Sequence, residues 1–269
     1  VTGSVVNIVL DVILIFGAGR IPTLGIAGAA IATVIGQWAA MAITLFAVMK
    51  KYSLRGTFKL EACKQIYANG IGSIVTQSLY TIYIVGLNMI LKIFTEDAVT
   101  VLGIYYKIQS FFFIPLLGFQ QVLLPLFSYH YGAGDSRRNR EILKYSMLFS
   151  VSIMAAATGI FFLFPEKLIQ IFSAQPAIVS IGKYAFPVIS ISFIFAGLTI
   201  VITSYLQGIA HIKASLFIIV LRQIILLVPL AWIFHYVSLN AVWWTFPVTE
   251  VIASMTGIFI VLALQGQNR

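Results

Sequence analysis

The stretch YAFPVISISFIFAGLTIVITSYLQG, Tyr184–Gly208, runs for 25 residues without one Asp, Glu, Lys or Arg. At a helical rise of about 1.5 Å per residue it is long enough to cross the roughly 30 Å hydrocarbon core of a bilayer. Similar runs, broken by Gly, Pro and charge, lie at Val1–Phe16, Ile26–Met49, Ile66–Phe94, Val99–Ser128, Ile142–Phe164, Ala214–Tyr236 and Leu239–Leu264. None shows the ten-residue alternation of a barrel strand, so all eight are predicted to be helices, which satisfy their own backbone groups in lipid. The fold class expected is an all-α integral membrane protein of about eight transmembrane helices.

Composition agrees with lipid as the solvent. Of 269 residues 60% are apolar and 9% charged, against about a quarter charged in a soluble domain. The formal charge of +9 raises nucleic acid as a partner, but in a membrane protein basic clusters report topology. Alternating the eight spans puts Lys50, Lys51, Arg55, Lys59, Lys64, Arg137, Arg138, Arg140, Lys144, Lys213 and Arg269 on one side. Only Arg20, Lys92, Lys167 and Lys183 fall on the other. The first side is therefore read as cytoplasmic, with the carboxyl terminus inside, in a multi-pass protein of the plasma membrane or bacterial inner membrane; no nucleic acid is needed. The single Cys63 forms no intramolecular disulfide and is read as a small apolar residue, no His/Cys cluster has metal spacing, and no GxxxxGK[ST] loop couples the chain to ATP. Val1 opens inside an apolar run with no initiator Met or signal peptide, so the chain is expected to start within a longer protein.

The most polar stretch, Lys50–Gln65, is the expected junction between two bundles. A weak internal repeat supports it: Gly25 precedes Gln37 by twelve residues in LGIAGAAIATVIGQ, and Ser238 precedes Glu250 by twelve in SLNAVWWTFPVTE. Repeated bundles are a common construction of secondary transporters. The expected division is residues 1–49, a cytoplasmic linker 50–65, and a bundle over 66–269.

Ionisable side chains inside spans cost about 2.5–3.5 kcal/mol each at a helix centre, so each wants a reason. Asp11 lies about five residues from the outer end of its span, roughly 8 Å deep. Asn7 is four residues earlier on the same face and can donate its amide hydrogen to the carboxylate, making an oxygen-rich site for a proton or a hard cation. The plainer reading is an interfacial Asp satisfied by water and backbone. Glu250 lies near mid-membrane after Pro247, either facing a cavity or as a buried partner of Arg222 or Lys107. Lys107 can act as a counter-charge to a cationic substrate or snorkel outward. Tyr80 in the third span and Tyr105, Tyr106, Phe111, Phe112 and Phe113 in the fourth, with Gln109, Gln120 and Gln121, can line a pocket for apolar organic cations or serve as core packing. His130 is read as an interfacial residue, and Trp243 and Trp244 as an interfacial anchor.

Asn7–Asp11 followed by GIAGAAIATVIGQ, together with GFQQVLLPLFSYHYGAGDSRR at Gly118–Arg138, resembles the multidrug and toxic compound extrusion (MATE) family. The resemblance covers that family's fifth to twelfth spans and implies a partial 6+6 two-bundle transporter with the first four helices missing. It resembles DinF-type members, in which an Asn-x-x-x-Asp pair in the fifth span and a Thr in the sixth hold the coupling cation. The resemblance carries those roles to Asn7, Asp11 and Thr33, with sodium at Asp11 as one form of the ion. The acidic residues that NorM-type members carry in the seventh and tenth spans have no counterpart in Ile66–Phe94 or Tyr184–Gly208, so that site is not carried over. The implied function is a proton- or sodium-coupled multidrug efflux antiporter for lipophilic organic cations, working by alternating access. It is no enzyme, needs no cofactor beyond the coupling Na+ or H+, and has drugs and membrane lipids as partners. Glu250, Gln109, Gln121, Tyr80, Phe112 and Lys107 are the substrate-side candidates. A flippase for lipid-linked saccharides, an intramembrane hydrolase pairing Asp11 with Glu250, and an inactive fragment remain as alternatives.

Overall fold

The computed structural model describes residues 2–17, 22–51 and 60–267, and among them the only regular structure is helical. Arg20, Arg55, Lys59 and Arg269 of the charge argument lie outside the described residues. Among the described residues six helical stretches are long and apolar enough to cross a membrane; two more apolar helices, Thr2–Phe16 and Ser78–Lys92, are shorter. The chain divides into two compact units, Val1–Gln65 and Ile66–Arg269.

In the first unit α1 (Thr2–Phe16) packs against α2 (Gly25–Lys51). Of the expected linker, Lys50 and Lys51 form the last turn of α2, residues 60–65 belong to α3 (Leu60–Lys92), and residues 52–59 lie outside the described residues. Small residues let α1 and α2 approach closely, as they must where lipid offers no hydrophobic drive for helix pairing. Gly28, Ala32 and Gly36, spaced four apart, are the buried residues of α2. A Cβ on Gly28 would stand 2.5 Å from the Leu14 carbonyl oxygen, and one on Gly36 2.9 Å from Asn7 Cβ. Gly28→Ala is therefore expected to destabilise the full-length protein by about 1–3 kcal/mol, the range of overpacked contacts. Gly103→Ala, which meets nothing within 4 Å, is the control, and equal melting temperatures for the two variants would refute the close approach.

The second unit is built around α7 (Pro176–Gly208). Its most apolar window is 67% buried, against at most 33% in the other candidate spans, so the sequence that reads most hydrophobic is the one shielded from lipid by protein. Against it pack α4 (Glu96–Gly132), α5 (Ser136–Leu163), the short α6 (Pro165–Gln170), α8 (Ile212–Val220) and α11 (Thr245–Gln267). Phe186 and Phe193 of α7 are fully buried with Tyr105 and Phe161, and the Phe161–Phe193 rings meet edge-on at 5.0 Å, a geometry that aromatic quadrupoles favour.

Helix starts are set by caps the hydropathy pattern does not weigh. Thr95 Oγ1 accepts from the Asp97 amide at 3.2 Å and opens α4, and Asp135 Oδ1 accepts from the Arg138 amide at 2.9 Å and opens α5. The basic segment between the expected spans Val99–Ser128 and Ile142–Phe164 thus includes the first turns of α5.

The seventh span is not one uniform helix. It continues from α8 through a π-helical stretch, Leu221–Leu226, into α9 (Leu227–His235). Pro229 has no N–H for the Ile225 carbonyl, which removes an α-type bond where the π stretch ends. Pro247 has the same effect on the last span, which is α10 (Leu239–Trp243) and α11 with an interruption at Trp244.

Candidate functional site

Asn7 and Thr33 are brought together across the α1–α2 pair. Asn7 Nδ2 donates to Thr33 Oγ1 at 3.5 Å, and Thr33 Oγ1 donates to the Ala29 carbonyl at 2.9 Å. The first contact is at the long limit for a hydrogen bond, so it leaves the amide able to serve another acceptor. A groove of about 310 Å³ runs beside these residues, lined also by Ser4, Gly36 and Gln37. Asp11 stands one helical turn beyond Asn7 and does not line the groove; its Oδ1 is buried without a hydrogen-bond partner among the described residues. The amide expected to serve Asp11 is thus directed at Thr33, and the carboxylate keeps an unsatisfied oxygen. An orphaned buried carboxylate oxygen is costly in a low-dielectric setting, and a proton or a sodium ion would satisfy it.

A second polar site lies inside the other unit. Arg222 Nε and Glu250 Oε1 form an ion pair at 3.2 Å, with side chains 26% and 13% exposed. They line an enclosed cavity of about 50 Å³ with Tyr83, Tyr106, Gln109 and Gln223. Among the described residues, Gln223 Oε1, Thr249 Oγ1 and Glu250 Oε2 of its lining are buried without a hydrogen-bond partner. Two of these are pure acceptors and one is a hydroxyl, so the cavity calls for a hydrogen-bond donor. At about 10–15 Å³ per water centre it has room for a few waters. A drug-sized pocket takes about 300–1,000 Å³, so this cavity as it stands admits water or a small polar group.

Residues 72–233 match the family model MatE. The chain belongs to the MatE family. It is 26% identical over 215 residues, 77% of the chain, to the probable multidrug resistance protein NorM of Thermotoga maritima, covering 46% of that protein. It is 25% identical over 268 residues, 97% of the chain, to the multidrug export protein MepA of Staphylococcus saprophyticus, covering 58%. The chain thus spans about half the length of the curated relatives it matches. Among solved structures, an outward-facing MATE transporter superposes on the whole chain with a TM-score of 0.84 at 21% identity, 62% of that structure being covered. The MATE multidrug transporter DinF-BH gives 0.81 at 28% identity over 97% of the chain and 60% of its own.

Of the substrate-side candidates in this MatE chain, Glu250 and Gln109 share the enclosed cavity; Tyr80, Phe112, Lys107 and Gln121 do not line it. Lys107 is exposed and sits 5.7 Å from the centroid of the Phe172 ring. Phe112 packs edge-on against Phe161 at 5.5 Å, and Tyr80 against Tyr83 at 5.3 Å. Gln121 is exposed. Trp243, expected at the interface with Trp244, is fully buried instead, while Trp244 is exposed and its indole donates to Tyr184 Oη at 3.2 Å. The two candidates for paired hydrolytic carboxylates belong to different units, and Glu250 is already paired with Arg222. Gln223 and Thr249 were missed by sequence reasoning. Gln223 had a signal, since it follows Arg222 in an otherwise apolar span; Thr249 had none, a lone Thr being common in membrane helices.

Proposed function

We propose that the full-length protein is a cation-coupled efflux antiporter for drug-like molecules, and that lipophilic organic cations are its substrates. The observation that carries this reading is the buried, unpartnered Asp11 oxygen one turn from the Asn7–Thr33 contact in a chain of the MatE family. Asp11, with Asn7 and Thr33 as neutral oxygen and amide neighbours, takes up a proton or a sodium ion. Coupling follows if ion and drug favour different conformations by differential affinity. Gln109 and Glu250 touch substrate only when the cavity around them widens. The side bearing Lys50, Lys51, Arg137 and Arg138 faces the cytoplasm, where the positive-inside bias places it.

A lipid-linked saccharide flippase would need uncompensated basic residues for a pyrophosphate. Deep within the apolar spans, Arg222 is neutralised by Glu250 and Lys107 rests against Phe172, while Lys92 and Lys144 stand within three residues of their span ends, which favours drug export. The test is transport by the full-length protein in sealed vesicles, with a lipophilic cationic dye inside and an imposed pH or sodium gradient. Gradient-driven dye release without translocation of a labelled saccharide lipid is expected. Saccharide-lipid translocation with no dye movement would overturn the reading.

A further inference from the structure

Helices α5 and α11 both pack on α7 and leave a furrow of about 560 Å³ between them. Its walls are apolar: Leu143, Met147, Leu148 and Val151 follow one face of α5, and Ile258, Val261 and Leu262 one face of α11. At one end it opens beneath Arg140 and Lys144. Arg140 also lines a separate polar pocket of about 160 Å³, together with Ser136, Asn139, Tyr205 and His211, and Leu264 of α11 closes it. The furrow and the pocket therefore meet at one guanidinium. Neither Arg140 nor Lys144 has an ion-pair partner among the described residues, whereas the adjacent Arg137 is held by Glu141 at 3.3 Å. Asp135 is engaged as the cap of α5.

A second feature of the pocket points to a ligand. Asn139 is 3% exposed; its amide donates to the Phe127 carbonyl at 3.3 Å, while its Oδ1 is buried with no partner. That oxygen is an acceptor and requires a donor. The site thus combines two free cations, one buried acceptor and an apolar trough running away from them along the membrane-spanning helices. A phosphate accompanied by a hydroxyl, on a molecule with an acyl chain, matches all three.

We propose that this is a binding site for an anionic glycerophospholipid with a hydroxyl-bearing headgroup. The phosphate lies between Arg140 and Lys144, a rotation of the Asn139 side chain uncovers its Oδ1 to accept from the headgroup hydroxyl, and one acyl chain lies in the α5–α11 furrow. The occupant comes from the bilayer itself, and the site is independent of the ion and drug sites above. Basic residues at a membrane surface favour anionic lipid electrostatically, but the buried acceptor and the shaped furrow add a preference for particular molecules.

The test is native mass spectrometry of the full-length protein in mixed micelles containing phosphatidylglycerol and phosphatidylcholine of equal chain length. Preferential retention of phosphatidylglycerol is expected. Removing both charges in the double variant Arg140→Gln, Lys144→Gln should weaken that retention by roughly thirtyfold. Leu148→Trp, which fills the exposed furrow, should reduce retention through the chain while leaving the melting temperature in lipid-free detergent unchanged. Equal retention of the two lipids by the wild-type protein would overturn the proposal, a result that needs no variant to fold. Displacement of bound phosphatidylglycerol by soluble glycerol phosphate would overturn it as well, since the site would then recognise a phosphate and not a lipid.

Discussion

Asp11→Asn in the full-length protein is expected to reduce drug efflux to that of cells lacking the transporter, while the protein still inserts at the wild-type level. The amide has the shape of the carboxylate but cannot take up a proton or bind a cation as an anion would. Among the described residues the carboxylate has no ion-pair partner: Oδ1 is buried without a hydrogen bond, and the Asn7 amide is directed at Thr33. Binding and release of an ion is what would make such a group tolerable in an apolar helix within the membrane. Asn7→Ala and Thr33→Val should weaken efflux by less, because each removes one neutral contact and leaves the charge. Drug-resistance assays with membrane-fraction immunoblots read both quantities, and unchanged efflux by Asp11→Asn would remove this residue from the mechanism.

The second large effect concerns the Arg222–Glu250 pair. Removing one partner of a buried ion pair leaves an uncompensated charge and typically costs about 3–5 kcal/mol, whereas replacing both with apolar residues is often neutral. Arg222→Met and Glu250→Leu are each expected to lower the melting temperature of the purified protein sharply. The double variant should recover most of the loss, a coupling measured by a double-mutant cycle. Additive single effects would show that the two groups do not depend on one another. Transport separates structure from function here: a stable double variant that still exports dye would leave Glu250 as a structural partner of Arg222 and nothing more.

The fold was legible because lipid allows so few solutions. A run such as Tyr184–Gly208 admits one reading, and the eight helical stretches follow from it. What the pattern did not reveal were places where a single residue acts against the average. Pro229 and Pro247 split two spans into pieces, and Thr95 and Asp135 move two helix starts outward by capping free amides. The site was legible to the extent that charge marks cost, so Asp11, Arg222 and Glu250 stood out and two of them pair. Residues that join a site without charge, Gln223 and Thr249 among them, are invisible to that logic. Whether Asn7 spends its amide on Asp11 or Thr33 depends on how closely α2 approaches, which Gly36 sets and spacing along α1 does not encode.

A π stretch winds more residues into each turn than an α-helix, and Leu221–Leu226 does so where Arg222 reaches Glu250. Tightening it by one residue to regular winding would rotate everything on its amino side by about 100° relative to α9. The guanidinium would then swing off the carboxylate, so the local winding of this helix acts as a dial whose setting fixes whether the cavity is electrically balanced.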